Sequence, residues 1–177
     1  MLLNKSHVRQ CPHFREDLLG REPNASMEQF LAMFKEDEQT EIDFHHLMDV
    51  MEGYILSLRM EVMRQLIQEN SGNGLGLELQ KKGKELAVIL PEPSARGGVR
   101  VSYYSINGPL YHEVFDTVEG AILAAIQSGY RSRHPGALDR LTDLPSWRRG
   151  VLWTTLLYRT RGNPTQFLKD NPGYLDS

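Results

Sequence analysis

The chain has 177 residues, 40% of them hydrophobic, and a formal net charge of −3. That length suits one domain with a sizeable core, so neither a disulfide nor a metal is needed to hold it together. The single cysteine, Cys11, has no partner for an internal bridge, and no apolar run approaches the roughly 18 residues of a membrane helix.

The start, Met1-Leu2-Leu3-Asn4-Lys5, lacks the apolar stretch of a secretory signal, so a cytoplasmic protein is expected. Charge is spread unevenly. Residues 1–80 carry 7 Lys/Arg against 14 Asp/Glu, and residues 81–177 carry 13 against 9. Such asymmetry marks either a partner-binding face or two faces that neutralise each other inside the fold.

In chain order, residues 1–25 mix charge, proline and polar groups without periodicity and read as an irregular leader to a single domain over 26–177. Ser26 and Gln29 have capping-box spacing, and Met27, Phe30, Leu31 and Phe34 predict a short helix over 27–36. Thr40 is placed to cap a long helix from Glu41 to Glu69. Phe44, Leu47, Met48, Met51, Ile55, Leu58, Val62 and Leu66 form one stripe at 3.6 residues per turn. Ser71-Gly72-Asn73-Gly74 ends it.

The texture then changes to strands. Leu75–Leu79 and Leu86–Leu90 are short apolar segments separated by Lys81-Lys82-Gly83-Lys84, and Pro91 to Gly98 reads as a loop. Val99–Ile106 and Pro109–Asp116 flank Asn107-Gly108, a strong hairpin signal. A turn centred on that pair sets Val101 opposite Val114, Tyr103 opposite His112 and Tyr104 opposite Tyr111. Thr117 caps a helix with Val118, Ala121, Ile122, Ala125 and Ile126 on its buried face. Pro145 fits the first turn of another, closed by Gly162. Helices, then strands, then helices define an α+β fold: a long amphipathic helix and flanking helices on a three- or four-stranded antiparallel sheet.

No segment carries a cofactor or metal motif in its required context. The glycines of Gly72-Asn73-Gly74-Leu75-Gly76 follow a helix and precede a strand, the reverse of a phosphate-binding loop. His7, Cys11 and His13 lack a second ligand pair, and no Gly-x-Ser-x-Gly elbow occurs. Cofactors and metals are therefore not expected.

Two regions of unusual charge remain. Gly129 to Gly162 holds Arg131, Arg133, Arg140, Arg148, Arg149, Arg159 and Arg161 against two acids, with Tyr130, Trp147, Trp153 and Tyr158 interleaved. Arginine beside aromatics suits protein-interface hot spots and equally phosphate clamping with base stacking. Conversely, Glu36 to Leu58 contains no Lys or Arg, and Glu38, Glu41, His45, Asp49 and Glu52 form an acidic face.

The expected function is a small non-enzymatic binding or regulatory protein. It occupies a protein or nucleoprotein partner, with Arg131, Arg133, Arg140, Trp147, Arg148, Arg149, Arg159 and Arg161 as anchors and the acidic helix setting orientation. The alternatives are nucleic-acid binding through the arginine segment, an acidic helix acting as a nucleic-acid mimic and inhibitor, and an enzyme with a site around Tyr103 and His112.

Overall fold

The computed structural model describes residues 1–81, 85–94 and 97–176. The expected Lys82-Gly83-Lys84 connection and two residues of the loop after Pro91 lie outside them. The fold is α+β, and the chain divides into two compact units, Met1–Val62 and Met63–Ser177, where one domain after a leader was expected.

The first 25 residues are an integral part of the N-terminal unit. They form β1 (Leu2–Leu3), α1 (Lys5–Gln10), a π-helical turn at His13–Leu18 and a 3-10 turn at Leu19–Arg21. The Asn4 side chain caps α1 by accepting from the His7 amide at 3.0 Å. Val8, Phe14 and Leu19 are buried in one core with Phe30, Leu31, Phe34, Leu47, Met51 and Tyr54. Spacings of six and five residues match neither a helix nor a strand, which is why no periodicity is visible in this stretch. Successive turns of different pitch nevertheless bring these side chains to one side.

Next comes α2 (Met27–Leu31), shorter than expected. Ser26 caps it as the spacing predicts, but the reciprocal half of the capping box is not made. The Gln29 side chain instead accepts from the Tyr54 hydroxyl at 3.1 Å. The long helix α3 is Phe44–Glu69, 26 residues, and begins three residues after the expected start. Its cap is Asp43, whose Oδ2 accepts from the His45 amide at 2.9 Å, while Thr40 is held in a turn by Asp37. Ile42–Asp43 is strand β2, paired antiparallel with β1. That pairing keeps the segment before Phe44 extended and delays the helix.

The C-terminal unit is built on a five-stranded sheet, one strand more than the upper expectation. Its strands are β3 (Glu78–Gln80), β4 (Leu86–Pro91), β5 (Val99–Ser105), β6 (Gly108–Phe115) and β7 (Ser132–Arg133), in the antiparallel order β6-β5-β4-β3-β7. The two residues of β7 are too few to show alternation.

Leu79, Ala87, Ile89, Val101 and Tyr103 share one fully buried sheet face. Against it packs α4 (Val118–Gln127), capped by Thr117 as expected, through Ala121, Ile122, Ala125 and Ile126. On the opposite face Gln80, Leu86 and Tyr104 lie in register across three strands.

The β5–β6 hairpin differs from its predicted register. Ile106 and Asn107 form the turn, Ser105 pairs with Gly108, and an irregularity at Tyr103/Tyr104 sets Tyr103 opposite Tyr111, Ser102 opposite His112 and Val101 opposite Glu113. A turn centred on Asn107-Gly108 needs positive φ at both residues, whereas here only Gly108 has it, at 116°. The glycine therefore follows the turn and permits a bulge.

Candidate functional site

The arginine segment spans α5 (Ala137–Thr142) and α6 (Pro145–Arg159) and continues toward α7 (Thr165–Asp170) and a final 3-10 turn at Tyr174–Asp176. Pro145 opens α6, and Arg161 at φ 50° and Gly162 at φ 82° close it in left-handed conformations. The start of α6 is pressed onto the hairpin turn. The Ser146 hydroxyl donates to the Ile106 carbonyl at 2.8 Å, and a Cβ placed on Gly150 would lie 1.6 Å from the Asn107 carbonyl oxygen. Only glycine permits that approach.

This seating sorts the expected anchors. Trp147 is buried on the sheet, its ring 5.6 Å from that of Tyr104, and offers a partner no surface. Arg133 is half-buried, with Nη2 donating to Asn70 Oδ1 at 3.0 Å, and Arg131 Nε donates to the Ile126 carbonyl at 3.2 Å. Arg140 Nη1 donates to the Pro135 carbonyl at 3.1 Å, leaving its other donors facing outward from an exposed position. Arg148, Arg149, Arg159 and Arg161 are exposed and make no ion pair with any acid among the described residues. Beside them Trp153 is 39% and Tyr158 86% exposed. The composition of the segment was legible; which arginines stay free depends on tertiary neighbours such as Asn70.

The acidic face of the N-terminal unit is likewise partly occupied. Glu38 and Glu28 both hold Arg9, whose guanidinium draws each carboxyl below the usual range. Glu41 is exposed but precedes α3, while His45, Asp49 and Glu52 are exposed on the helix itself.

The sheet residues proposed for catalysis do not converge as expected. Tyr103 stacks on Tyr111 with ring centres 4.5 Å apart and donates its hydroxyl to Glu113 at 2.9 Å, whereas His112 lies opposite Ser102. Tyr130 donates to Glu85 at 3.1 Å. Burial pushes both phenols above their usual value, and the neighbouring carboxylates push in the same direction. At neutral pH they are hydrogen-bond donors in a packed aromatic layer. Among the described residues no group of three His, Cys, Asp or Glu side chains is placed to share a metal ion, the set of His7, Cys11 and His13 included.

A signal absent from the sequence reading is a cleft of about 380 Å³ on the Trp147 side of the sheet. Its walls include Leu86, Ile106, Leu141 and Leu144, with His134 and Arg140 at its polar edge. It assembles from four separate stretches of chain, at Gln80, Leu86, Ile106 and His134 to Ser146, so no local pattern announces it.

The C-terminal unit is an α+β domain that presents a basic, aromatic helix beside an apolar cleft. No known protein family matches the chain, and neither a curated protein nor a solved structure shows significant similarity to it.

Proposed function

We propose that the protein is a non-enzymatic binding module that occupies an acidic surface of a protein partner through α6 and the residues after it. One observation carries this reading: Arg148, Arg149, Arg159 and Arg161 are solvent-facing with no acid partner among the described residues, and Trp153 and Tyr158 stand exposed among them. An unpaired guanidinium keeps its forked donors for a carboxylate, and exposed aromatic rings supply flat apolar area of the kind that anchors interfaces. The exposed Glu41, Asp49 and Glu52 add a region of opposite sign that would orient the encounter. Phosphates suit the same donors, but a chain of net charge −3 is a weak candidate for binding nucleic acid as its sole role.

The test is affinity capture from native lysate, with and without nuclease, using the full chain and the pair of changes Arg148→Glu with Arg149→Glu. The expected result is a partner that survives nuclease and is lost with the double variant. Both arginines are exposed, so unfolding stability should move by no more than about 0.5 kcal/mol. A collapse of stability would make these arginines structural. Loss of every partner on nuclease treatment would transfer the surface to nucleic acid.

A further inference from the structure

The cleft does not stand alone. Ser146 lines both the cleft and a second hollow of about 300 Å³ that runs past Arg149, Gly150 and Trp153. Arg149 in turn also borders a third hollow, of about 430 Å³, that reaches Leu168 and Tyr174. Each hollow thus shares a side chain of α6 with the next, Ser146 and then Arg149. The second hollow itself reaches from Ser146 to Trp153, over which the helix rises about 10 Å, the length of about three residues of extended chain.

The chemistry along this line is consistent. The cleft at one end has apolar walls, with Ile106 and Leu144 each 37% exposed at its mouth. Arginines border the path, Arg140 at the cleft, where the His134 imidazole also lies, and Arg149 at the junction of the other two hollows. None of the described lining residues is acidic. Arg140 has one nitrogen committed to Pro135, and the Ser146 hydroxyl is spent on Ile106, so the groove's unspent donors are mainly guanidinium groups.

We infer that this groove takes an extended segment of the partner in which a single apolar side chain enters the cleft and acidic residues on either side meet Arg140 and Arg149. The inference rests on α6 being the binding face. It adds that the partner contributes a short acidic peptide with one apolar anchor, where a flat acidic surface would need only the arginines. The cleft selects the anchor, and the arginines set the sign of the flanking residues.

The experiment is fluorescence anisotropy on the full chain with two labelled synthetic peptides, a leucine flanked by aspartates and its serine counterpart, and with polyaspartate as an acid-only probe. The leucine peptide is expected to bind at least about tenfold more tightly than the serine peptide, the scale of burying one leucine side chain. Ile106→Glu and Leu144→Glu, at two partly exposed walls, should each abolish that preference while the circular dichroism spectrum stays native. Equal binding of both peptides and of polyaspartate overturns the groove and leaves the basic face standing. No binding of any acidic probe overturns both.

Discussion

Between Met1 and Val62 two charged side chains are buried, Lys5 and Glu22, whereas between Met63 and Ser177 no charged residue among those described is buried, and Ser102 is the one buried polar residue that is not aromatic. The difference follows from how each unit disposes of its backbone. The sheet of the C-terminal unit pairs its own amides and carbonyls, so its two faces need only apolar side chains. The N-terminal unit is made of short helical turns that expose carbonyls at their ends. Lys5 reaches one of these, donating its Nζ to the Phe34 carbonyl at 2.9 Å, just past the end of α2. Glu22 follows the 3-10 turn and is gripped by Arg59 of α3, Nε at 2.8 Å and Nη2 at 2.7 Å from the same oxygen. Irregular helical architecture is completed by buried charge, and regular sheet architecture by apolar layers.

The largest expected effect breaks that buried pair. Arg59→Met removes the guanidinium from a carboxylate that is nearly wholly buried, and should cost about 3 kcal/mol, since breaking a buried ion pair by deleting one member is strongly destabilising. Hydrogen exchange should show the loss concentrated in peptides from the N-terminal unit. A change under about 1 kcal/mol would mean that the carboxylate is solvated after all, and the contrast between the units would lose its main support.

A pair of glycine substitutions sharpens the comparison with opposite signs. Gly150→Ala drives a methyl group into the backbone of Asn107, and neither α6 nor the turn can give way cheaply because Ser146 ties them together. The expected loss is about 2 kcal/mol, overpacking outweighing the better helix propensity of alanine. Gly53→Ala, in the exposed middle of α3, meets nothing within 4 Å. It should stabilise by up to about 1 kcal/mol, because there only propensity and unfolded-chain entropy change. Chemical denaturation of both variants checks the two signs, and equal signs would remove the close approach of α6 to the hairpin.

These glycines also show where the sequence was legible and where it was not. Elements with their own local signals are found where spacing places them: α3 from its apolar stripe, α4 from Thr117, α6 from Pro145. The stripe of α3 nonetheless omits Tyr54 and Met63, which are buried. The leader and the hairpin register went astray because distant residues decide them. Val8, Phe14 and Leu19 are core only because α3 and α2 lie over them, and Ile42–Asp43 is strand only because Leu2–Leu3 pairs with it. Asn107-Gly108 has the composition of one turn and forms another, with Gly108 pressed within 3.6 Å of the α6 backbone as judged from its would-be Cβ. At the site, arginine number is a property of sequence, but the withdrawal of Trp147, Arg131 and Arg133 from the surface is a property of packing.

The smallest expected effects come from pH, and they should separate the units. In the N-terminal unit the carboxyls of Glu28 and Glu38 are held low by hydrogen bonds from Arg9, and Asp37 by the Thr40 hydroxyl and the Gln39 and Thr40 amides. Asp43 is partly desolvated, which raises it, but the His45 and His46 amides outweigh this and leave it lowered. A carboxyl whose folded value lies below its unfolded one stabilises fully above the unfolded value and loses that contribution as pH falls through the folded one. Acid below about pH 4 should therefore loosen the N-terminal unit first. In the C-terminal unit Tyr103 and Tyr130 are raised by burial, so their contribution is complete below about pH 10 and drains away as pH climbs toward the folded values. Tyrosinate absorbance should show two late-titrating phenols, and hydrogen exchange should place the alkaline loss in the sheet and α4. Removing the hydroxyls with Tyr103→Phe and Tyr130→Phe should abolish the alkaline step while leaving the acid step in place. If the acid step moved as well, the two units would share one titration, and their separate chemistry would no longer describe the molecule.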